Sequence, residues 1–219
     1  MNVTPESVRQ LVNSDDYGDR LRGVNQVEYL DDAIAYEILQ PAIADRNPRV
    51  RYAAVCKLAN LGRQDPSTAL TVLRDCLHND PEADVQAAAA DAIGALHLTD
   101  AFEDLQQVYR ETSEWLIEFS IIATLGEMGD PRAFDLLSDA LGNENELMRM
   151  TAIGALGELA DERAVPLLIP FATDPDWQTR YRVAQALGRI GTDEGKSTLE
   201  QLAADEVEPV AQEAKHHLG

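Results

Sequence analysis

Apolar residues recur along this 219-residue chain with a spacing that is typical of helices, and the pattern repeats. Each copy contains an aliphatic residue followed by a small one, as in Leu125-Gly126, Leu156-Gly157 and Leu187-Gly188. We call the aliphatic residue the anchor and number positions from it; the anchors are Leu58, Ile93, Leu125, Leu156, Leu187 and Leu218. Apolar residues fall at −4, 0 and +3, on one face of a helix. The pattern predicts six amphipathic anchor helices, with a weaker opening copy near Val27 or Leu30.

A second helix is predicted between consecutive anchor helices. Its start is marked at Asp65-Pro66 and Asp130-Pro131, because Asp caps free N–H groups and Pro suits the first helical turn. The anchor helices carry the same signal at Asn47-Pro48, Asp80-Pro81 and Asp174-Pro175. The repeating unit is therefore helix, tight turn, helix, turn.

Glycine recurs at position +1, inside the anchor helix. Glycine there costs about 1 kcal/mol relative to alanine, so its recurrence indicates close approach by a neighbouring helix. Helix pairs of this kind bury their apolar faces by stacking. We therefore expect an all-α fold, a right-handed α-solenoid of about six to seven short helix-pair repeats. Residues 1–219 are predicted to form a single domain, with residues 1–16 as an N-terminal capping segment.

Positions −5, −2 and +2 lie away from the apolar face and are predicted to line a concave groove. In chain order they are Ala53, Cys56 and Asn60; Ala88, Asp91 and Ala95; Ser120, Ala123 and Glu127; Thr151, Gly154 and Glu158; and Arg182, Gln185 and Arg189. The groove then runs from neutral, through an acidic middle, to a basic end. We expect a partner to occupy it.

Position −7 carries Arg51, Gln86, Glu118, Arg149 and Arg180, and two of these arginines are followed by Tyr52 and Tyr181. The arginines either pair with neighbouring acids along the stack or recognise carboxylates such as a tetrapyrrole propionate. Trp115 and Trp177 stand at −10, as packed aromatics or as interface hot spots. The candidate binding residues are Arg51, Tyr52, Asp91, Trp115, Glu118, Trp177, Arg180, Tyr181, Arg182 and Arg189.

Three side chains are catalytic candidates. Cys56 falls on the predicted concave face, where it could receive or release a thioether-linked group; the alternative is a small buried hydrophobe. Glu127 and Glu158 could serve as acid or base, although a solvated face is the simpler interpretation. No histidine or cysteine spacing matches a metal site, so no metal is predicted.

Charge and cysteine content restrict the classes of partner and compartment. The 39 acidic and 18 basic residues give a formal net charge of −21. Such a surface disfavours nucleic acid and anionic membranes, and either keeps the protein soluble or steers it to basic patches on a partner. Two cysteines make no disulfide framework, and neither a secretory signal nor a membrane span is evident. The sequence predicts a cytoplasmic protein.

The repeat pattern "VRYAAVxxLxxLG…DPxxA…LL" resembles the short HEAT-like repeats of phycobilin lyases over residues 17–219. Three stretches, "SVRQLVNSDDYGDRLRGVNQV" (7–27), "TSEWLIEFSIIATLGEMGDPRAFDLL" (112–137) and "DPDWQTRYRVAQALGRIG" (174–191), resemble cyanobacterial phycobilisome degradation proteins in that family. The resemblance implies a protein that acts on the light-harvesting antenna during nutrient starvation.

Two functions fit this resemblance. One is an adaptor that grips phycocyanin or allophycocyanin subunits and strips their contacts or presents them to a protease adaptor or another degradation factor. The other is a lyase-like catalyst that detaches or transfers bilin at phycobiliprotein cysteines. No cofactor is required, and a transient phycobilin is the one cofactor that the resemblance implies.

Overall fold

A computed structural model describes residues 3–219, and these residues contain fourteen α-helices, six short 3₁₀ segments and no strand. The α-helices are α1 (Pro5–Val12), α2 (Tyr17–Gln26), α3 (Asp32–Ile43), α4 (Pro48–Leu61), α5 (Pro66–Asn79), α6 (Ala83–Ala95), α7 (Phe102–Glu111), α8 (Trp115–Met128), α9 (Phe134–Ala140), α10 (Glu146–Leu159), α11 (Val165–Leu168), α12 (Trp177–Ile190), α13 (Asp193–Leu202) and α14 (Glu208–Leu218). The 3₁₀ segments are Val27–Tyr29, Gly62–Gln64, Thr99–Ala101, Pro131–Ala133, Glu162–Ala164 and Ile169–Thr173. The predicted all-α class, which is consistent with an α-solenoid, is confirmed.

The even-numbered helices from α4 to α14 contain the six anchors, and the opening copy near Val27 falls at the end of α2, in the 3₁₀ segment Val27–Tyr29. Each follows an odd-numbered helix, so the described chain holds seven helix pairs. The chain divides into two compact units, Met1–Ile121 and Ile122–Gly219, and the boundary falls within α8. In each unit consecutive anchor helices pack side by side: α4 against α6 in the first, and α10 against α12 and α12 against α14 in the second.

The core is built from the residues predicted for it. Positions −4 and 0 are buried in the five copies whose anchors run from Leu58 to Leu187. These residues are Ala54, Leu58, Ala89, Ile93, Ile121, Leu125, Ala152, Leu156, Val183 and Leu187. The last anchor, Leu218, is 37% exposed, whereas the other five anchors are buried. The odd-numbered helices contribute apolar side chains such as Leu73, Leu105 and Leu137, which are also buried.

Two predicted anchor-helix starts are wrong by a few residues. Helix α6 begins at Ala83 and α12 begins at Trp177, whereas Asp80-Pro81 and Asp174-Pro175 were expected to start them. The carboxylates of Asp80 and Asp174 accept the backbone N–H two residues later, so both belong to the preceding turn. Asp176 caps α12 instead.

The other start signals behave as expected, with one difference. Asn47 caps α4 and Asp65 caps α5, each with proline at the first helical position. Asp130 caps a 3₁₀ turn, Pro131–Ala133, and α9 follows only at Phe134. The Arg132 N–H binds the Asp130 carboxylate, and this side chain also forms an ion pair with the Arg132 guanidinium.

The repeated glycine at +1 allows neighbouring anchor helices to touch, as predicted. A Cβ added to Gly126 would lie 2.5 Å from Ala155 Cα, and one added to Gly157 would lie 2.6 Å from Ala186 Cα. A Cβ on Gly188 would overlap the His217 ring. Each glycine thus meets the −1 residue of the next copy. The recurring "LG" is explained by helix packing.

Candidate functional site

The exposed face of each anchor helix is formed by positions −5, −2 and +2, and we call this set the anchor face. Cys56, Asp91, Glu127, Glu158 and Arg189 on this face are exposed, as predicted. Two members differ from the prediction, because Ala88 is 5% exposed and Ser120 is 4% exposed. Both are small side chains at position −5.

In the first unit, the anchor face carries a small polar cluster. The Tyr52 hydroxyl donates a hydrogen bond to the Cys56 thiol one turn later, and the Ser120 hydroxyl donates to the Asp91 carboxylate. Asp91 raises the pKa values of both Tyr52 and Cys56 electrostatically. Tyr52, Cys56 and Asp91 are exposed and Ser120 is buried, and three different helices supply the four side chains.

The environment of Cys56 disfavours a thiolate nucleophile. Its thiol is exposed, so it is not the small buried hydrophobe that the sequence left open. Partial desolvation by the surrounding protein raises its pKa above the ordinary value, and the nearby Asp91 raises it further, against the lowering effect of the Tyr52 hydrogen bond. Since the thiolate is the nucleophilic form, Cys56 is a protonated thiol at neutral pH. Cys76 is buried, and desolvation raises its pKa to about 11.

In the second unit, the anchor face forms an open depression of about 490 Å³. Its lining residues are Ala123, Gly126, Glu127, Glu158 and Arg189. Arg189 Nη1 lies 3.2 Å from Glu158 Oε1, across two consecutive anchor helices, and both side chains are about half exposed. The small residues leave room, and the floor combines two carboxylates with one guanidinium. The structure thus brings together both predicted glutamates and one predicted arginine.

The first two turns of α12 hold four of the predicted aromatic and basic residues, Trp177, Arg180, Tyr181 and Arg182. Trp177 is 41% exposed, and Tyr181 is half-buried one turn later. Burial raises the pKa of Tyr181, whose hydroxyl donates to Glu213 and accepts from Gln185 Nε2 at 3.3 Å. Arg182 is exposed, and its Nη1 lies 3.4 Å from Gln185 Oε1.

The arginines at −7 form a repeated structural ladder. Three of them, with Arg20 counted from Val27, donate through Nε and Nη2 to an aspartate at −13 of the next copy, with distances of 2.6–3.0 Å, in the pairs Arg20–Asp45, Arg51–Asp80 and Arg180–Asp205. Nη1 of each binds the backbone carbonyl at −13 of its own copy: Ser14, Asp45 and Asp174. These side chains are nearly buried. Arg51 and Arg180 therefore pair with neighbouring acids, one of the two arrangements predicted.

The ladder changes in the middle copies. Gln86 donates through Nε2 to the Asp80 carbonyl at 2.7 Å, and Arg149 donates through Nη1 to the carbonyls of Asn143 and Glu144 at 3.0 Å. Glu118, a candidate binding residue, is half-buried at this position. The buried carboxylate partners of the ladder were missed in the sequence. The sequence feature that could have revealed these partners is an aspartate 25 or 29 residues after the arginine that it binds.

Both tryptophans have large exposed surfaces at the start of their helices. Trp115 is 57% exposed and Trp177 is 41% exposed, so neither is a fully packed aromatic. Sequence reasoning missed Leu147, which is 41% exposed in the first turn of α10. It lies at position −9, one residue after the position of the tryptophans. An apolar residue in that helical turn is the sequence feature that could have revealed it.

Comparison with protein families identifies the repeat. Models of HEAT repeats match residues 5–94, 70–149 and 135–219, and these overlapping matches cover nearly the whole chain. The chain belongs to the HEAT-repeat proteins. No curated protein matches its sequence.

Solved structures share this fold. The complex of CpcE and CpcF of phycocyanin lyase from Nostoc sp. PCC7120 matches with 21% identity and a TM-score of 0.68, covering 100% of this chain and 88% of that chain. An archaeal HEAT-like repeats protein from Thermococcus onnurineus NA1 matches with 11% identity and a TM-score of 0.59, covering 99% and 96%. An engineered protein matches with 18% identity and a TM-score of 0.68, covering 98% and 67%. At these identities the similarity establishes the fold.

Two kinds of feature are absent from the described residues. Among residues 3–219, no group of three or more His, Cys, Asp or Glu side chains is arranged to hold a metal ion. Within the same range, no helix is long and apolar enough to cross a bilayer. The anchor face exposes acidic and basic side chains, and the exposed Trp115 and Trp177 lie at the starts of the same helices.

Proposed function

We propose that this HEAT-repeat protein is a phycobilisome degradation factor of the NblB kind, which binds phycobiliprotein subunits through its anchor face and promotes antenna disassembly during nutrient starvation. The observation that carries the proposal is the open depression around Glu127, Glu158 and Arg189. Small-molecule sites are concave and enclose most of their ligand, whereas this surface is open and polar. It suits a protein partner better than a bound tetrapyrrole.

The identity of the partner is supported by resemblance. Residues 7–27, 112–137 and 174–191 resemble phycobilisome degradation proteins, and two of these stretches contain the exposed Trp115 and Trp177. The fold matches that of the CpcE and CpcF complex of phycocyanin lyase along the whole chain. We therefore propose phycocyanin or allophycocyanin subunits as the partners, with presentation to a protease adaptor or another degradation factor as the consequence of binding.

A second candidate function is transfer of bilin, and the exposed Cys56 favours it. In this reaction the thioether bond between bilin and an antenna cysteine breaks by elimination, the antenna sulfur regains a proton, and the Cys56 thiol adds to the released double bond. Atoms balance, and no oxidant is needed. The raised pKa of Cys56 slows its addition at neutral pH, so we place this function second.

One experiment separates the two functions. The purified protein is mixed with holo-phycocyanin or holo-allophycocyanin, and binding and visible absorbance are followed together. The degradation-factor proposal expects a stable complex with an unchanged chromophore spectrum. Loss of the bilin band at catalytic ratios, with chromophore recovered free or on the protein, would establish bilin chemistry instead.

Two cysteine variants serve as a matched pair in this assay. If bilin is transferred, Cys56→Ser abolishes the transfer and Cys76→Ala, a change of the buried thiol, leaves it intact. If neither biliprotein binds at micromolar concentration, the proposed function is wrong.

A further inference from the structure

The first turns of two consecutive anchor helices in the second unit expose large apolar side chains. Leu147 on α10 and Trp177 on α12 are each 41% exposed, and these two helices pack against each other. Tyr181 follows Trp177 by one turn and is partly accessible. Surface tryptophans are enriched at interface hot spots, and large exposed apolar side chains that cluster mark interaction sites.

Helix α12 is basic within an acidic protein. It contains Arg180, Arg182 and Arg189 and no acidic residue, whereas the chain as a whole has a formal net charge of −21. Asp205 neutralises Arg180, and Glu158 neutralises Arg189.

Arg182 is the arginine of α12 that has no counter-ion. In the part of the chain that the structure describes, its contact is the neutral amide oxygen of Gln185, and no carboxylate forms an ion pair with it. The nearby Glu213 is engaged elsewhere, because it accepts hydrogen bonds from the Tyr181 hydroxyl and from His217 Nε2 at 3.2 Å. Arg182 follows Trp177 by five residues, so an exposed guanidinium lies about 1.4 turns along α12 from an exposed indole.

We infer that Trp177, Tyr181 and Arg182, together with Leu147, form a docking point for an acidic, apolar segment of a partner protein. The guanidinium offers a planar fork to a carboxylate, and the indole and leucine offer apolar surface to the side chains beside it. Charge complementarity selects the occupant, since Arg182 is exposed without a carboxylate partner among residues 3–219 and the same helix exposes the Trp177 indole. The inference rests on the proposed function, because it names which part of the anchor face holds the partner and by what chemistry.

Synthetic peptides test this inference without a phycobiliprotein. Three twelve-residue peptides share the same leucines and phenylalanines and carry glutamate, glutamine or lysine between them. The full-length Trp115→Phe variant leaves Trp177 as the single tryptophan, so its fluorescence reports occupancy. We expect saturable binding of the glutamate peptide, roughly tenfold tighter than binding of the lysine peptide and weakened by salt.

Substitutions identify the contacts. In the same background, Arg182→Gln should weaken the glutamate peptide roughly fivefold, the scale of one exposed charge pair, and Arg182→Glu should reverse the preference toward the lysine peptide. Anisotropy of a labelled peptide should show a loss of about tenfold or more for Trp177→Ala, as expected for a hot spot. The control Arg110→Gln changes another arginine, exposed on α7, and should leave affinity unchanged. Circular dichroism confirms that each variant is folded.

Several outcomes would overturn the inference: no saturable signal with the glutamate peptide, equal affinity for the lysine peptide, or an Arg182→Glu variant that keeps the original preference. Binding of free biliverdin that depends on Arg182, without peptide binding, would assign the point to a tetrapyrrole carboxylate instead. Peptide binding without any phycobiliprotein binding would keep this inference and reject the proposed function. Phycobiliprotein binding that survives Arg182→Glu, without peptide binding, would keep the proposed function and reject this inference.

Discussion

Arg180 on α12 and Asp205, which lies just before α14, form a two-point ion pair with Nε–Oδ2 and Nη2–Oδ1 distances of 2.6 and 3.0 Å. The side chains are 11% and 8% exposed. Arg180 Nη1 also binds the Asp174 and Pro175 carbonyls, and the Asp205 carboxylate accepts the Val207 N–H. The pair thus ties together the turns that precede two consecutive anchor helices, and the same arrangement occurs at Arg20 and Arg51.

Removal of Arg180 should destabilise the second unit strongly. Arg180→Ala leaves the Asp205 carboxylate buried without its counter-ion, and breaking a buried pair in this way costs about 3 kcal/mol. The measurement is the free energy of unfolding by urea at pH 7. The control Lys196→Ala disrupts the exposed pair with Asp193 and should cost less than about 0.5 kcal/mol. Equal costs for the two variants would contradict the structural role of the ladder.

The Arg180–Asp205 pair should also make stability depend on acid. The hydrogen bond from Arg180 holds the pKa of Asp205 below its ordinary value of 3.8, against the opposing effect of burial. The unfolded chain therefore binds this proton more readily than the folded chain. The contribution of the pair is complete above pH 3.8 and is lost as the pH falls through the folded pKa.

The isosteric variant Asp205→Asn isolates this effect. It keeps an acceptor for the Val207 N–H but lacks the charge. The difference in unfolding free energy between the wild type and this variant should be constant above about pH 5 and shrink below pH 3.8. A difference that stays constant down to pH 2.5 would show that the carboxylate is not stabilised by Arg180.

The helical units and their core were predictable because they follow from local periodicity. Burial of Leu58, Leu125 and Leu156 is fixed by neighbours three and four residues away in the same helix, so the sequence pattern is sufficient. The roles of Asp80 and Asp174 were not predictable in this way. An Asp-Pro pair looks like a helix start, yet each aspartate serves the turn before the helix, and the partner that fixes Asp80 is Arg51, 29 residues earlier.

The candidate site was predictable as a face but not as a set of contacts. The spacing of three and four residues between positions −5, −2 and +2 placed Cys56, Asp91, Glu127 and Glu158 on one exposed side of their helices. Which of them interact depends on the offset between neighbouring helices, which local periodicity does not determine. Asp91 therefore acquires Ser120 as a partner, and Ser120 becomes buried.

Two glycines of α10 should respond in opposite directions to alanine. A Cβ on Gly157 would lie 2.6 Å from Ala186 Cα, so Gly157→Ala forces α10 and α12 apart and should cost about 2 kcal/mol. Gly154 is in the same helix and nothing lies within 4 Å of its Cβ position. Gly154→Ala should stabilise the protein by about 1 kcal/mol, because alanine is the better helix former.

Urea unfolding of both glycine variants, with circular dichroism as the signal, measures these changes. The pair is internally controlled, since residue type, helix and substitution are the same. If Gly157→Ala were as stable as Gly154→Ala, the close approach of α10 and α12 would be refuted, and with it the structural reason for glycine at +1.

Cys56 and Cys76 should differ sharply in alkylation by iodoacetamide. Cys56 is exposed and should be modified in the folded protein, but slowly at pH 8, because its raised pKa leaves little thiolate. Its rate should continue to rise above pH 9.0, the ordinary value for this thiol. Cys76 is buried with a pKa of about 11 and should react only after unfolding. Intact mass spectrometry counts the modified thiols at each time.

The Tyr52 hydroxyl provides a test of the cause. Its hydrogen bond to Cys56 lowers the pKa of the thiol, so Tyr52→Phe should raise that pKa further and slow alkylation at pH 8. Cys56→Ser should abolish native-state modification and serves as the control for site assignment. Rapid alkylation of Cys56 at pH 7 would show that this thiol is activated after all, and it would move bilin transfer ahead of partner binding as the function of the anchor face.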